Sequence, residues 1–369
     1  MTLPVLIVGA GPTGLAAALE MARRGIRARL IDKAPEPIPR VESRALGIHL
    51  RTRDILRDTG VAAEMERRGH LVREVVLHRS GQMPERLDLT EHPRGDSGIL
   101  TLRQWETERL LRSAAEAEGV HVERGVTLTG LADLTGTPEA TLSHGDGTEE
   151  LVRAARVVGA DGAHSAVRRA AGIAFAGRTE ETHWSLADIT YREPVERGKI
   201  HMSLGAAASL AVIPVDEHTL RFVGTHPEVA DMVDATHDIV DIPWSSTFRI
   251  SFRMVSRLSK GGVFLIGDAA HIHSPVGGRG MNLGIEDAAW LAWLIAEGRE
   301  AEFDRLRRPV ARKVLTDTAQ QTWPLRAQGG LADFARAQGP KLLRLRAVRR
   351  AVLTRVLALD TPPPPWLNG

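Results

Sequence analysis

Short apolar runs that end on a glycine or an acidic residue punctuate this chain, and helical spacing of apolar residues follows them. Val5 to Val8 reads as a buried strand, Leu15, Leu19, Met21 and Ala22 continue at helical intervals, and Arg27 to Ile31 forms a second strand ending at Asp32. Far downstream, Val263 to Ile266 is another apolar strand, and a helix is expected from Met281 or Asn282 through Trp290 and Leu294. Between these lie Val72 to His78, Trp184 to Tyr191, Lys199 to Leu204, Leu210 to Val215, Leu220 to Gly224 and Thr247 to Met254. They are short and alternating or β-rich, which predicts a mostly antiparallel sheet. From Ala301 onward the pattern is helical. Leu342, Leu343, Leu345, Val348, Val352, Leu353, Val356 and Leu357 recur among Arg344, Arg346, Arg349, Arg350 and Arg355. That basic amphipathic segment is read as packing on the protein with its Arg face exposed, ahead of lying on a membrane surface.

The junction of the first strand and helix carries chemistry. Gly9, Gly11 and Gly14 hold the GxGxxG spacing around Pro12 and Thr13. Gly9 permits a tight turn, Gly11 lets backbone approach a pyrophosphate, and Gly14 allows close helix packing. The helix N-terminus then faces phosphates, and Asp32, followed by Lys33, can accept ribose hydroxyls. This set favours a dinucleotide over a structural turn. It does not choose between NAD and FAD.

Two further segments make that choice. Asp161, Gly162, Ser165, Val167 and Arg168 match DGxxSxVR. Gly267, Asp268, Ala269, Ala270, His271, Pro275, Gly277, Gly280 and Asn282 match GDAAHxxxPxGGxGxN. With the GxGxxG turn, these ordered motifs resemble the para-hydroxybenzoate hydroxylase type of FAD-dependent monooxygenase over roughly residues 3 to 299. The late segment also makes physical sense on its own. Reduced flavin is an anion, and a glycine-rich loop through Gly278 and Gly280 leading to a helix N-terminus near Met281 brings backbone N–H groups to that charge.

The resemblance implies an α/β fold: a Rossmann-like FAD-binding domain with an inserted, mostly antiparallel substrate sheet and a C-terminal helical region. The motifs divide the chain into residues 1–70, 99–173 and 256–299 for FAD, 71–98 and 174–255 for substrate, and 300–369 for the helical end. Arg44 is expected to touch both FAD and the nicotinamide nucleotide, and Gln104, beside Arg103, to contact the cofactor. Asp161 and Arg168 would belong to a charged network near the FAD pyrophosphate. Pro275 would sit at the flavin edge where oxygen reacts, and Arg279 would tune the flavin electrostatically. The implied reaction uses NADPH or NADH and O2 to hydroxylate an aromatic or polyketide-like substrate through a flavin hydroperoxide. Epoxidation, Baeyer–Villiger insertion and double-bond reduction belong to the same fold, and a flavin binder without turnover is a remote alternative.

A phenolic substrate reacts better once deprotonated, so a base is expected near its hydroxyl. His49, Tyr191, His201, Arg221 and His226 are the candidates; His271 and His273 lie inside the flavin motif with no third ligand, so no metal site is expected. A second GxGxxG in strand-turn-helix context is absent, so the nicotinamide nucleotide is expected to bind transiently on the FAD domain. A thioredoxin-like extension, carried by some phenol-hydroxylase relatives, is not expected.

Composition narrows the rest. With 369 residues, two or three structural units can share buried cores. The absence of Cys removes disulfides and thiolate sites, so a cytoplasmic setting is expected. The uncharged stretch from Met1 to Leu19 is broken by Pro4, Pro12 and its glycines, so neither signal peptide nor membrane span is expected. A net charge of +2 and a single Tyr give no platform for nucleic acid. The expected partners are small molecules, with the chain a monomer or homodimer.

Overall fold

The computed structural model describes residues 3–40, 45–79, 82–94, 98–205, 208–233, 238–326 and 329–367. Val5–Val8 is buried along its whole length because it runs in the middle of a parallel sheet, between Ala28–Asp32 and Arg156–Gly159. Strands buried on both faces need continuous apolar runs, which is what VLIV and RVVG supply. Val122–Arg124 extends the sheet on one side. Val263–Leu265, parallel to Arg156–Gly159, and the short antiparallel Ser259–Lys260 extend it on the other. The helix Pro12–Ala22 lies against Arg279–Ala296, and this joint puts the first glycine turn beside the late loop.

The second large element is an eight-stranded sheet among the described residues. Its order is His271–Ile272, Ile239–Val255, Phe175–Tyr191, Thr219–Gly224, Ser209–Pro214, Lys199–Leu204, Glu74–Arg79 and Gln82–Asp88. Most neighbours are antiparallel, and Lys199–Leu204 with Glu74–Arg79 is the parallel exception. Two strands run 17 residues each, well beyond the cores at Trp184 and Thr247 that the apolar pattern marks. Their extensions carry charged and exposed residues such as Arg178 and Asp241, which are held by mutual pairing rather than by burial.

The sheet has two distinct faces. The outer face carries Ala187, Ile189, Tyr191 and Phe222 and is closed by Val229. The inner face carries Trp184, Val223, Ile250 and Phe252, which pack with Val276 of the late loop and with Ala319 and Leu325 of the helix Phe303–Arg326. Farther along the inner face, Val75, Leu77, Ile200 and Met202 meet Leu343, Leu353 and Leu357 of the C-terminal region. The amphipathic end of the chain therefore packs on the protein, and Arg344 and Arg349 ion-pair with Glu85 and Glu91. Trp366 then returns to Trp290 and Trp293 beside the parallel sheet. Among the described residues, no helix is long and apolar enough to cross a membrane.

Candidate active site

The first turn is built around contacts no side chain could share. Gly9 has φ +105°, and a Cβ there would lie 2.5 Å from the Ala160 carbonyl oxygen. A Cβ on Gly14 would lie 1.8 Å from the Gly9 oxygen, whereas one on Gly11 would meet nothing within 4 Å. Gly14 and Gly9 are thus glycines for packing, and Gly11 is one for access. Asp32 holds the turn from below, accepting the Ala10 N–H at 2.6 Å and the Ala34 N–H at 2.8 Å. Pro12 opens the helix, Thr13 follows, and no side chain caps the helix N-terminus, so its first N–H groups can serve an anion. Lys33 is exposed at the rim.

The middle motif abuts this turn. One carboxylate oxygen of Asp161 accepts the Ala166 and Val167 N–H groups at 2.6 and 3.1 Å, while the other is buried with no hydrogen-bond partner among the described residues. Gly162 has open space beside it. Arg168 donates to the carbonyls of Ala269 and Ala163 at 2.9 and 2.8 Å and lies 4.0 Å over the Phe175 ring. It therefore braces the Gly267–Ala269 turn that presents Asp268.

The late loop exposes Pro275, Gly277 and Gly278. Its helix begins at Arg279, ahead of the expected Met281 or Asn282, because Gly278 adopts φ +61° and serves as an N-cap without a side chain. Gly280 and Met281 fall in its uncapped first turn. Asn282 uses its whole carboxamide: its oxygen accepts from the His49 N–H and the Thr52 hydroxyl at 2.9 and 2.7 Å. Its nitrogen donates to the Gly47 and Gly278 carbonyls at 2.8 Å each.

Arg44 lies outside the described residues. Its neighbour Ala45 donates to Gln104 at 3.0 Å, and Gln104 donates to Glu108 at 2.9 Å. Burial pushes the Glu108 carboxyl up to about 7. Arg103 turns toward the large sheet, reaching Asp216 at 2.8 Å and Asp188 at 3.3 Å.

Several candidates for a substrate base sit elsewhere. Tyr191 belongs to the outer face, and His201 pairs with Val212 on that same face, where it contacts His78 at 2.8 Å. One-residue alternation decides this, since neighbours along a strand point to opposite sides. His226 lies in the turn after its strand, where its carbonyl accepts from Ser185 and its ring contacts the Glu228 main chain. Arg221 is on the inner face but is locked to Asp188. His49 is buried, and burial with the nearby Arg279 guanidinium pushes its imidazole down to about 4. Arg279 itself is engaged by Asp360 at 2.9 Å, which ties the helix start to the C-terminal segment. His271 bonds to Asp287 at 2.6 Å, and Asp287 to Arg307 at 2.8 Å, a buried brace behind the loop.

Thr52, Glu108, Asp188 and Gly284 were not singled out by sequence reasoning. Gly284 had a legible signal, being a glycine one turn inside an apolar helix; a Cβ there would lie 2.2 Å from the Thr13 hydroxyl. Thr52 and Asp188 act through partners distant in sequence, Asn282 and Arg221, whereas Glu108 meets Gln104 one turn away and is set apart by its burial.

Two uncapped helix N-termini, an access glycine, an acid at the end of the second strand and an unpartnered Asp161 oxygen fit an elongated dinucleotide bearing one ring system that becomes anionic. With the three family motifs this arrangement fits the class of flavoproteins, and the inner face of the large sheet packs against the late loop at Val276. The family described as FAD binding domain matches residues 2–316, and the chain belongs to it. The chain is 33% identical over 382 residues to 6-methylpretetramide 4-monooxygenase of Streptomyces rimosus, covering 96% of this chain and 68% of that protein. Among solved structures, it resembles CabE, an aromatic hydroxylase from angucycline biosynthesis, with TM-score 0.79, 26% identity and coverage of 98% and 77%. It also resembles OxyS, the anhydrotetracycline hydroxylase from Streptomyces rimosus, with TM-score 0.77, 28% identity and coverage of 99% and 77%. The protein is an FAD-dependent monooxygenase.

Proposed function

We propose that this enzyme hydroxylates a flat, polycyclic phenolic substrate of polyketide type, with NADPH or NADH as reductant and O2 as oxygen source. The observation that carries the reading is an apolar row on the inner face. Leu77 pairs with Met202, Met202 with Ala211, Ala211 with Val223, and Val223 with Leu186, so five strands place one apolar residue each in line. The C-terminal Leu343, Leu353 and Leu357 pack on its Leu77 and Met202 end, and Val276, Ala319 and Leu325 pack near Val223, so the row is an apolar wall inside the protein, which suits fused rings and keeps water from a reacting carbon. By their names, the relatives given above are a 6-methylpretetramide 4-monooxygenase, an aromatic hydroxylase from angucycline biosynthesis and an anhydrotetracycline hydroxylase, which supports this substrate class.

Bound FAD supplies the redox chemistry that a protein side chain cannot. The chain's residues provide position and charge. Asp32 would receive the ribose, the first N–H groups of Pro12–Ala22 the pyrophosphate, and those of Arg279–Ala296 the pyrimidine end of the flavin. Asp268 would meet the ribityl chain, and Pro275 would border the ring. On the inner face the two charges of Asp188 and Arg221 neutralise each other, leaving a surface that reads ring shape more than charge.

The test is anaerobic flavin reduction by NADPH and NADH, with and without a panel of single-ring and polycyclic phenols, followed by aerobic product analysis. Acceleration by a polycyclic phenol and a product heavier by one oxygen atom are expected. Acceleration confined to single-ring phenols would overturn the substrate class, and no reduction by either nucleotide would overturn the choice of reductant.

A further inference from the structure

We propose that His49 is a positioning residue of the flavin site, which holds the Gly277 carbonyl and, through Asn282, ties the 47–52 segment to the 277–282 loop. The inference rests on reading that loop as the one that meets the flavin. Gly277 and Gly278 both have left-handed backbone, φ +82° and +61°. Glycine reaches that conformation without strain but brings no side chain to hold it, so the loop's shape depends on hydrogen bonds from outside.

Among the described residues those bonds are few and specific. The Gly278 N–H donates to the Pro275 carbonyl at 2.9 Å, and its own carbonyl accepts from Asn282 at 2.8 Å. The Gly277 carbonyl lies 2.8 Å from the His49 Nε2. A carbonyl only accepts, so Nε2 carries the proton and the ring is fixed in that tautomer. The other nitrogen, Nδ1, is buried with no hydrogen-bond partner among the described residues. The His49 main chain contributes again through its N–H on Asn282, which also takes the Thr52 hydroxyl and binds Gly47. Four direct or Asn282-mediated bonds therefore converge from 47–52 on the start of the Arg279–Ala296 helix. A role as substrate base does not fit, since one ring nitrogen is committed to main chain and the other is sealed from solvent. Burial keeps the imidazole neutral at ordinary pH, so the donor is present throughout the working range.

The experiment compares wild type with His49→Leu, His49→Gln and Thr52→Val. FAD affinity is read by fluorescence titration of the apoprotein, and the midpoint potential of bound FAD by dye equilibration. His49→Leu should weaken FAD binding about tenfold and move the potential. His49→Gln, whose amide can donate to the same carbonyl, should recover most of both. Thr52→Val, which keeps shape and loses one bond, should weaken FAD binding about threefold and serves alone if His49→Leu does not fold. Wild-type affinity and potential in His49→Leu, or in Thr52→Val, would overturn the assignment. Equal impairment in His49→Leu and His49→Gln would also overturn it, in favour of packing. Wild-type protein that binds no FAD would sink the site reading itself, which these variants cannot do.

Discussion

Asp188 and Arg221 face each other across adjacent strands, with Nε to Oδ1 at 2.7 Å and Nη2 to Oδ2 at 2.9 Å, and both are almost wholly removed from solvent at 0% and 2% exposure. The bidentate geometry satisfies both groups, and the Trp244 ring covers the guanidinium at 5.1 Å. Arg103 adds a third contact and sits at the N-cap of the helix Gln104–Ala117, so the pair joins the inner face to the start of that helix. Breaking one partner leaves a buried charge alone. Asp188→Ala should cost about 3–5 kcal/mol in urea unfolding, and Asp188→Leu with Arg221→Met should recover most of it. A loss below about 1 kcal/mol in the single variant would mean water reaches the site.

The glycines of the first turn should separate folding from binding. Gly14→Ala forces a Cβ into the Gly9 carbonyl and should lower the apoprotein's melting temperature sharply. Gly11→Ala meets nothing within 4 Å, so apoprotein stability should stay within about 0.5 kcal/mol while FAD affinity falls. Unchanged FAD affinity in Gly11→Ala, measured by fluorescence titration, would remove the pyrophosphate from this turn.

Asn282 is the densest junction of the site, with four hydrogen bonds on one carboxamide. Asn282→Ala strands buried partners at His49 and Thr52 and should destabilise the protein by about 2–4 kcal/mol. Calorimetry of the apoprotein would check this. A small change there would show that the 47–52 segment keeps its place by packing alone.

Glu108 predicts a pH dependence of defined sign. Its folded pKa, raised to about 7 by burial, lies above that of the unfolded chain, so the folded state binds the extra proton. Stability therefore falls as pH rises from about 4.5 through 7, by up to about 3 kcal/mol. His49 and His273, pushed down to about 4, act in the opposite sense: their contribution is lost as pH falls through 6.5 toward 4. The comparison of wild type with Glu108→Gln isolates the first effect. Urea midpoints that rise above wild type at pH 8 and converge with it at pH 5 are expected, and parallel profiles would contradict the assignment.

The sequence by itself determined the cofactor side of this protein. Glycine spacing, an acid at a strand end and apolar runs are local rules, because the turn at Gly9 and the strand Val5–Val8 are set by residues within a few positions. The family motifs lie on such segments, and their order along the chain was enough to name FAD and oxygen-transfer chemistry. Tertiary structure alone decided which face of the large sheet each side chain takes. Whether Tyr191 or Asp188 faces the loop depends on strand parity and on which face the helices cover, and a shift of one residue reverses it. Long-range pairs decided the rest: His49 with Gly277 across 228 positions, and Arg279 with Asp360 across 81. A histidine's role is set by what its two nitrogens meet, and at position 49 that partner is a main-chain carbonyl no pattern along the chain could place.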